Sequence, residues 1–165
     1  KRPEHKKWNK ESITLSDRIR KDFYDEKTGY FFDIDAESGQ FLNDALGPEG
    51  WTPVWCEIAT IEQAAKVVSH MLDTNKFNTK IPLPTIDVSH PAFDPLNGYW
   101  RGPVWLDQVW FGIDGLKKYG FNKEALLLTN KVIQNCGGLT IPGESIRENY
   151  HPLTGIGLNA KHFSW

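Results

Sequence analysis

The sequence predicts an all-α fold of helical hairpins with one short β-hairpin inserted. Three observations predict it. Apolar residues recur at three- and four-residue spacing through much of the chain, the period that gathers them on one helix face. The segment after Val104 is apolar nearly all round, as in a helix enclosed by others. Finally, Gly50-Trp51-Thr52-Pro53-Val54-Trp55 is echoed roughly 48 residues later by Gly98-Tyr99-Trp100-Arg101-Gly102-Pro103-Val104-Trp105. Each copy opens a helical segment, the pattern of hairpins whose inner helices begin at one rim. Two copies do not close a ring.

Residues about 12 to 24 read as the first helix, with Ser12 as cap and Leu15, Ile19 and Phe23 along one stripe. Tyr30-Phe31-Phe32-Asp33-Ile34-Asp35 and Gln40-Phe41-Leu42 bracket a turn at Ser38-Gly39, a hairpin signal. The spacing of Asp33, Asp35 and Glu37 to Gly39 does not fit an EF-hand, so a solvated turn is expected. Thr60-Ile61-Glu62-Gln63 is a capping-box pattern opening a helix to about Leu72, its stripe being Ile61, Ala64, Ala65, Val68, Met71 and Leu72. Residues 75 to 95, rich in Pro and Asp, read as loop. Val104 to Tyr119 reads as an inner helix in which Gly112 and Gly115 let neighbours approach. Phe121 and Leu126 are spaced to staple a last helix, capped by Asn122 and ended at Gly137-Gly138. The remainder reads as loop up to Phe163-Ser164-Trp165, where a third inner helix would begin. Residues 1–165 are therefore expected to be a fragment of one larger domain, with no boundary inside them.

With 165 residues, 39% hydrophobic and 24% charged, the chain can bury a core. A net charge of −2 without a long run of one sign argues against a nucleic-acid surface. No apolar stretch approaches the roughly 20 residues that span a bilayer, so no membrane partner is expected. Periplasmic and cytoplasmic locations both stay open. Cys56 and Cys136, far apart and outside any Cys-x-x-Cys, are expected to be two buried thiols. His90, His151 and His162 lack metal-ligand spacing, and neither metal nor cofactor is implied.

Aromatic residues mark the candidate site. Trp51, Trp55, Trp100, Trp105, Trp110 and Trp165 lie in or beside three Gly/Pro-rich loops and the segments they lead into. Trp gathered at loop-to-helix junctions suggests a surface for flat apolar ligand faces. Tyr99 and Trp100 are candidate stacking platforms. Trp105, at helical spacing, is expected first in the core and second as a platform. Arg101 either forks onto ligand hydroxyls, holds a carboxylate, or pairs with an Asp. Asp107 complements the dipole of the helix it opens and counts as a further substrate contact. Glu148, flanked by Arg147, Asn149 and Tyr150, is the candidate base on water; the competing reading is a surface ion pair with Arg147. Tyr150 counts as a substrate contact, and Glu144 is a second carboxylate without an aromatic flank.

Gly98 to Trp105, then Glu148-Asn149-Tyr150-His151-Pro152-Leu153-Thr154-Gly155, then Phe163-Ser164-Trp165, resembles the C-terminal part of the catalytic domain of glycoside hydrolase family 63. The nearest kin look like bacterial α-glucosidase-like members, with processing α-glucosidases and trehalases more distant. The resemblance runs through most of residues 12 to 165. It implies a partial (α/α)6 barrel and hydrolysis of α-glucosidic bonds in oligosaccharides with inversion. It also implies that Glu148 is the general base and that the Tyr-Trp-Arg-Gly loop lines the sugar pocket. The family's general acid is an Asp in an upstream Glu-Ser-Gly-x-Asp motif. Here Glu37-Ser38-Gly39-Gln40-Phe41 carries Phe in place of that Asp. Inverting chemistry needs two carboxyls roughly 6.5–9.5 Å apart, so the acid is expected in the remainder of the parent polypeptide.

Two other readings compete. A sugar epimerase of the same barrel type would need a convergent His pair, for which His151 and His162 are the candidates. A non-catalytic carbohydrate-binding helical fragment would bind sugar without turnover. An open arc of hairpins is expected to expose the face of Trp105, Val109, Ile113 and Leu116. It should therefore self-associate or pack against the rest of its polypeptide.

Overall fold

A computed structural model describes residues 3–42, 44–140 and 143–160. The elements are α1 (Pro3–Asp22), β1 (Tyr24–Asp25), β2 (Tyr30–Phe31), α2 (Thr52–Trp55), α3 (Ile61–Met71), β3 (Val104–Trp105), α4 (Leu106–Lys118), α5 (Asn122–Asn135), β4 (Asn149–Tyr150) and β5 (Gly157–Leu158). The fold is mostly helical, but it is not all-α. Besides the β1–β2 hairpin, it carries a three-stranded antiparallel sheet in the order β3-β4-β5. Two-residue strands are too short to show a period of two, which is why the sequence reads as helix and loop there.

α1 starts well before Ser12, whose expected capping role is lost in mid-helix. Its first half is exposed and rich in Lys and Glu, including the pair Lys7–Glu11 at 3.9 Å, so helix propensity rather than an apolar stripe carries it. Leu15 faces outward; Ile19 and Phe23 pack on the core. The expected turn is present: Asp35 N–H donates to Gln40 O at 2.8 Å and Leu42 N–H to Asp33 O at 2.9 Å. The Ser38 N–H and hydroxyl donate to Asp35 Oδ1, each at 2.7 Å, and hold that carboxyl below its ordinary range.

α2 is a single turn with Pro53 near its start, where a missing N–H costs nothing. It packs on α4 because Gly115 has no side chain; a Cβ there would lie 3.0 Å from Trp55 N. Trp55 Nε1 donates to Asp114 Oδ2 at 3.1 Å, and Lys118 Nζ donates to Trp55 O at 2.8 Å. The capping box of α3 forms as its sequence indicates. Thr60 Oγ1 accepts from Gln63 N–H at 3.2 Å, and Gln63 Oε1 accepts from Thr60 N–H at 3.0 Å. α3 buries Ala64, Val67, Val68 and Met71 but leaves Ile61 in solvent.

α4 begins two residues later than expected because Val104 and Trp105 pair as a strand. It buries Val109, Ile113 and Leu116, so the stripe expected to be exposed is the one in the core. Its exposed large apolar residue is Trp110, 57% exposed. α5 starts at Asn122 with Phe121 at the cap position, and Leu126 is exposed, so no Phe121–Leu126 staple forms. Cys136 is buried, its thiol pushed up to about 12 by desolvation, whereas Cys56 is exposed, contrary to expectation.

The core joins Tyr30, Phe31, Phe32, Trp51, Met71, Phe77, Ile81 and Leu83 to the buried faces of α3, α4 and α5. Tyr30 Oη donates to Gly47 O at 2.7 Å, and its ring lies where a side chain on Gly50 would be. That close approach requires glycine at position 50.

Candidate active site

Three long connections lead into the chain's inner segments: 23–51 before α2, 72–103 before β3, and 136–148 before β4. Hydrogen bonds tie the first two to each other and the second to the β4–β5 turn. Asp87 N–H donates to Leu46 O at 3.1 Å while Leu46 N–H donates to Asp87 Oδ2 at 3.4 Å. Ile81 N–H donates to Pro152 O at 2.9 Å, and Lys80 Nζ to Thr154 O at 2.8 Å.

The aromatic loop is held by its backbone. Asp94 N–H donates to Arg101 O at 2.7 Å, and Gly98 N–H donates to Asp94 O at 3.0 Å. The Asn97 N–H, then the Leu96 N–H and the Arg101 charge, hold the Asp94 carboxyl below its ordinary range. Gly102 has φ +150°, and a Cβ there would lie 2.7 Å from Asp94 backbone atoms. Tyr99 takes φ +55°, a conformation that a bulky residue adopts only when its surroundings impose it. Trp105 Nε1 supplies part of that constraint by donating to Tyr99 O at 2.9 Å.

Trp100 and Trp105 stack with centroids 4.6 Å apart and planes 6° from parallel, with Tyr99 edge-on to Trp105 at 4.8 Å. Trp105 is 1% exposed and Trp100 46%. The ring expected first in the core is there, and Trp100 is the open platform. Arg101 is exposed, and among the described residues no ion pair involves it. Asp107 is half-buried in the first turn of α4, accepting from Gln108 Nε2 at 3.3 Å.

β4 fastens the carboxylate loop to this aromatic loop. Val104 faces Tyr150 and Trp105 faces Asn149, while β5 pairs the other edge. Glu148 immediately precedes β4 and is half-buried, its N–H donating to Ala160 O at 3.2 Å. Among the described residues its carboxylate has no ion pair. The guanidinium of Arg147 instead donates to Asn159 O at 3.3 Å. The competing surface pair is therefore not formed. Tyr150, expected as a substrate contact, is sealed in the core. Its hydroxyl donates to Gly137 O at 2.7 Å and accepts from Arg147 N–H at 3.0 Å. Its position fits a support for the Glu148 loop, because its hydroxyl is satisfied within the protein.

Sequence reasoning passed over Asn149. Its side chain is fully buried, its Oδ1 accepts from Asn159 Nδ2 at 3.0 Å, and its own Nδ2 has no partner among the described residues. A buried amide donor left over beside Glu148 can serve a hydroxyl or a water. Its signal was its place inside the Glu-Asn-Tyr run. Thr85 was missed too: its hydroxyl donates to Pro103 O at 3.1 Å and accepts from Gly102 N–H at 3.2 Å, tying down the aromatic loop.

His151 Nδ1 accepts from Leu153 and Thr154 N–H at 3.2 and 3.3 Å, so that ring shapes a turn. His162, Phe163, Ser164 and Trp165 lie outside the described residues. Glu144 is exposed in a groove of about 640 Å³ that Arg147 and Lys80 also line. Among the described residues, no cluster of three His, Cys, Asp or Glu side chains could hold a metal ion, and no helix is long and apolar enough to cross a membrane.

Comparison with known proteins identifies the class as a glycoside hydrolase domain. The chain belongs to the mannosylglycerate hydrolase MGH1-like glycoside hydrolase domain family, whose model matches residues 1–165. Mannosylglycerate hydrolase MGH1 of Selaginella moellendorffii is 34% identical over 145 residues, covering 86% of this chain and 28% of that protein. The mannosylglycerate hydrolase of Thermus thermophilus is 29% identical, covering 86% of this chain and 32% of that protein. The chain thus spans about a third of the length of these relatives. Among solved structures, a family 63 mannosylglycerate hydrolase from Thermus thermophilus, in complex with Tris and D-glycerate, superposes with a TM-score of 0.70 at 27% identity, over 82% of this chain and 31% of that one. Neutral trehalase Nth1 from Saccharomyces cerevisiae gives a TM-score of 0.77 over 92% of this chain and 28% of that one; at 20% identity this is a likeness of fold.

Proposed function

We propose that this chain is the base-bearing part of an inverting α-glycosidase that acts on small α-glycosides of the mannosylglycerate kind, within a single (α/α)6 domain of which residues 1–165 are an arc. Glu148 is the general base that takes a proton from the attacking water. Trp100 and Tyr99 offer ring faces to the sugar, and Arg101 and Asp107 reach its hydroxyls. Trp105 and Tyr150 hold those groups in place from the core. The general acid lies outside residues 1–165.

The observation that carries this reading is the β3–β4 register, which sets Trp105 opposite Asn149 and so fixes the carboxylate loop beside the aromatic loop. The names of the relatives support mannosylglycerate as the substrate class. An α-glucoside of an oligosaccharide is the substrate that the sequence motifs suggested. In the intact protein, Glu148→Gln should lower kcat at least ~100-fold while KM changes only a few-fold, the weight of a positioned base. Comparing mannosylglycerate, glucosylglycerate and an oligosaccharide α-glucoside ranks the substrates. Proton NMR of the freshly released sugar should show the β-anomer. Activity retained within a few-fold in Glu148→Gln removes Glu148 from the mechanism, and initial release of the α-anomer removes inversion.

A further inference from the structure

A cavity of about 420 Å³ lies between α1 and the α2 turn, apart from the groove lined by Glu144 and Arg147. Arg18, Phe23, Asp33 and Glu49 line it together with Phe31 and Phe32. Glu49 is the chemically unusual member. It sits in the Gly47–Gly50 turn, where the backbone N–H groups of Glu49 and Gly47 offset part of the burial that raises its carboxyl. It folds back so tightly that a Cβ on Gly47 would lie 2.5 Å from Glu49 Oε2. Among the described residues no cation pairs with it, and the Asp33 charge adds to the rise of its carboxyl. Arg18 on α1 has no ion pair among the described residues either. Its neighbour Arg20, in contrast, is engaged by Asp17 and by Ile58 O at 2.6 Å.

We propose that this cavity is a binding site for a small neutral polyol, held between the carboxyls of Glu49 and Asp33 and the guanidinium of Arg18. The lining selects the ligand class. The lining carries groups of both signs, so neither a simple anion nor a simple cation can pair with all of it. A neutral hydroxyl donates to a carboxylate and accepts from a guanidinium at the same time, so adjacent hydroxyls on a short carbon chain satisfy both. The Phe23, Phe31 and Phe32 edges supply the apolar wall that the C–H face of a polyol needs. The Leu46–Asp87 pair of hydrogen bonds connects this turn to the loop that leads to Trp100, so the site shares a frame with the aromatic loop without being part of it.

This site does not depend on the hydrolytic reading, and the experiment keeps the two apart. Saturation-transfer NMR on the intact protein would be titrated with glycerol, with sodium glycerate as the anionic probe and ethanolamine as the cationic one. Glycerol should give saturable binding stronger than either charged probe. Glu49→Met and Arg18→Met should each weaken it at least ~10-fold, a difference of about 1.4 kcal/mol. Glu49→Gln, whose amide still donates and accepts, should stay within ~3-fold, showing that lost hydrogen bonds rather than lost folding cause the effect. Glu148→Gln should leave glycerol binding at this cavity unchanged even where hydrolysis is gone. Unaltered affinity in both Met variants assigns the glycerol elsewhere and overturns the proposal. So does the absence of saturable binding, a preference for either charged probe, or a crystal structure of the intact protein with its own polypeptide filling the cavity.

Discussion

Trp100 and Trp105 form one stack but have opposite exposures, and that separates their roles. Trp100 covers Trp105 with one face and offers the rest of its ring to solvent. Trp105 is enclosed and tied to Tyr99 O. Trp100→Ala should therefore cost ~1–3 kcal/mol of sugar binding with little change in melting temperature. Trp105→Ala should instead cost ~3–5 kcal/mol of stability through the cavity it leaves. Isothermal titration and thermal melts of both variants decide it; equal loss of stability in the two would make Trp100 a core residue. Glu49 gives a second prediction. Desolvation, helped by Asp33, raises its carboxyl from 4.5 to about 7. The folded state then holds more protons than the unfolded one between those values, so this residue's contribution to stability is full below pH 4.5 and is lost as pH rises through 7. Relative to the wild type, Glu49→Gln should gain stability from about pH 5 to about pH 8. A parallel pH dependence of the two melting temperatures would refute this.

At the scale of elements, the helix whose start was legible owes it to local chemistry, and the strands owe their existence to partners. The α3 capping box uses four consecutive residues, so Thr60 and Gln63 announced it. Thr60→Ala should lower stability by ~0.5–2 kcal/mol, read by denaturant titration, because one orphan N–H loses its acceptor. A loss below that range would mean that packing of Ala64, Val67 and Met71 alone sets the helix. β3, β4 and β5 have no such local signature. Val104 and Trp105 are as good at opening a helix as at pairing, and only the arrival of Asn149 and Tyr150 alongside them decides the outcome. The same long-range pairing brings Glu148 to the aromatic loop.

For the whole molecule, the uncovered apolar side chains are the outstanding feature. Trp110 on α4 and Leu126, Leu127 and Ile133 on α5 are all exposed. Surface of this kind is covered by polypeptide in soluble proteins. We expect the 165-residue chain, produced alone, to sediment larger than a monomer, and the double substitution Trp110→Gln with Leu127→Gln to shift it toward the monomer. A monodisperse monomer of the unsubstituted chain would show that these faces tolerate water.

The sequence by itself determined that helices dominate and where α3 begins, because period, propensity and the Thr60–Gln63 cap act over a few neighbouring residues. It also determined the family, because the Tyr-Trp-Arg-Gly and Glu-Asn-Tyr runs are contiguous and their order is specific, and it supplied Glu148 as the proposed base. Tertiary structure decided which aromatic rings are open. Trp100 and Trp105 are close in sequence and have the same chemistry, yet one is open and the other enclosed, because burial depends on what folds back from distant positions. It turned the Val109, Ile113 and Leu116 face inward and left Trp110 outside. It sealed Tyr150 beneath Glu148, left one donor of Asn149 unmatched among the described residues, and brought Arg18, Asp33 and Glu49 around one cavity. None of these contacts lies within a window of sequence, so no local pattern could have carried them.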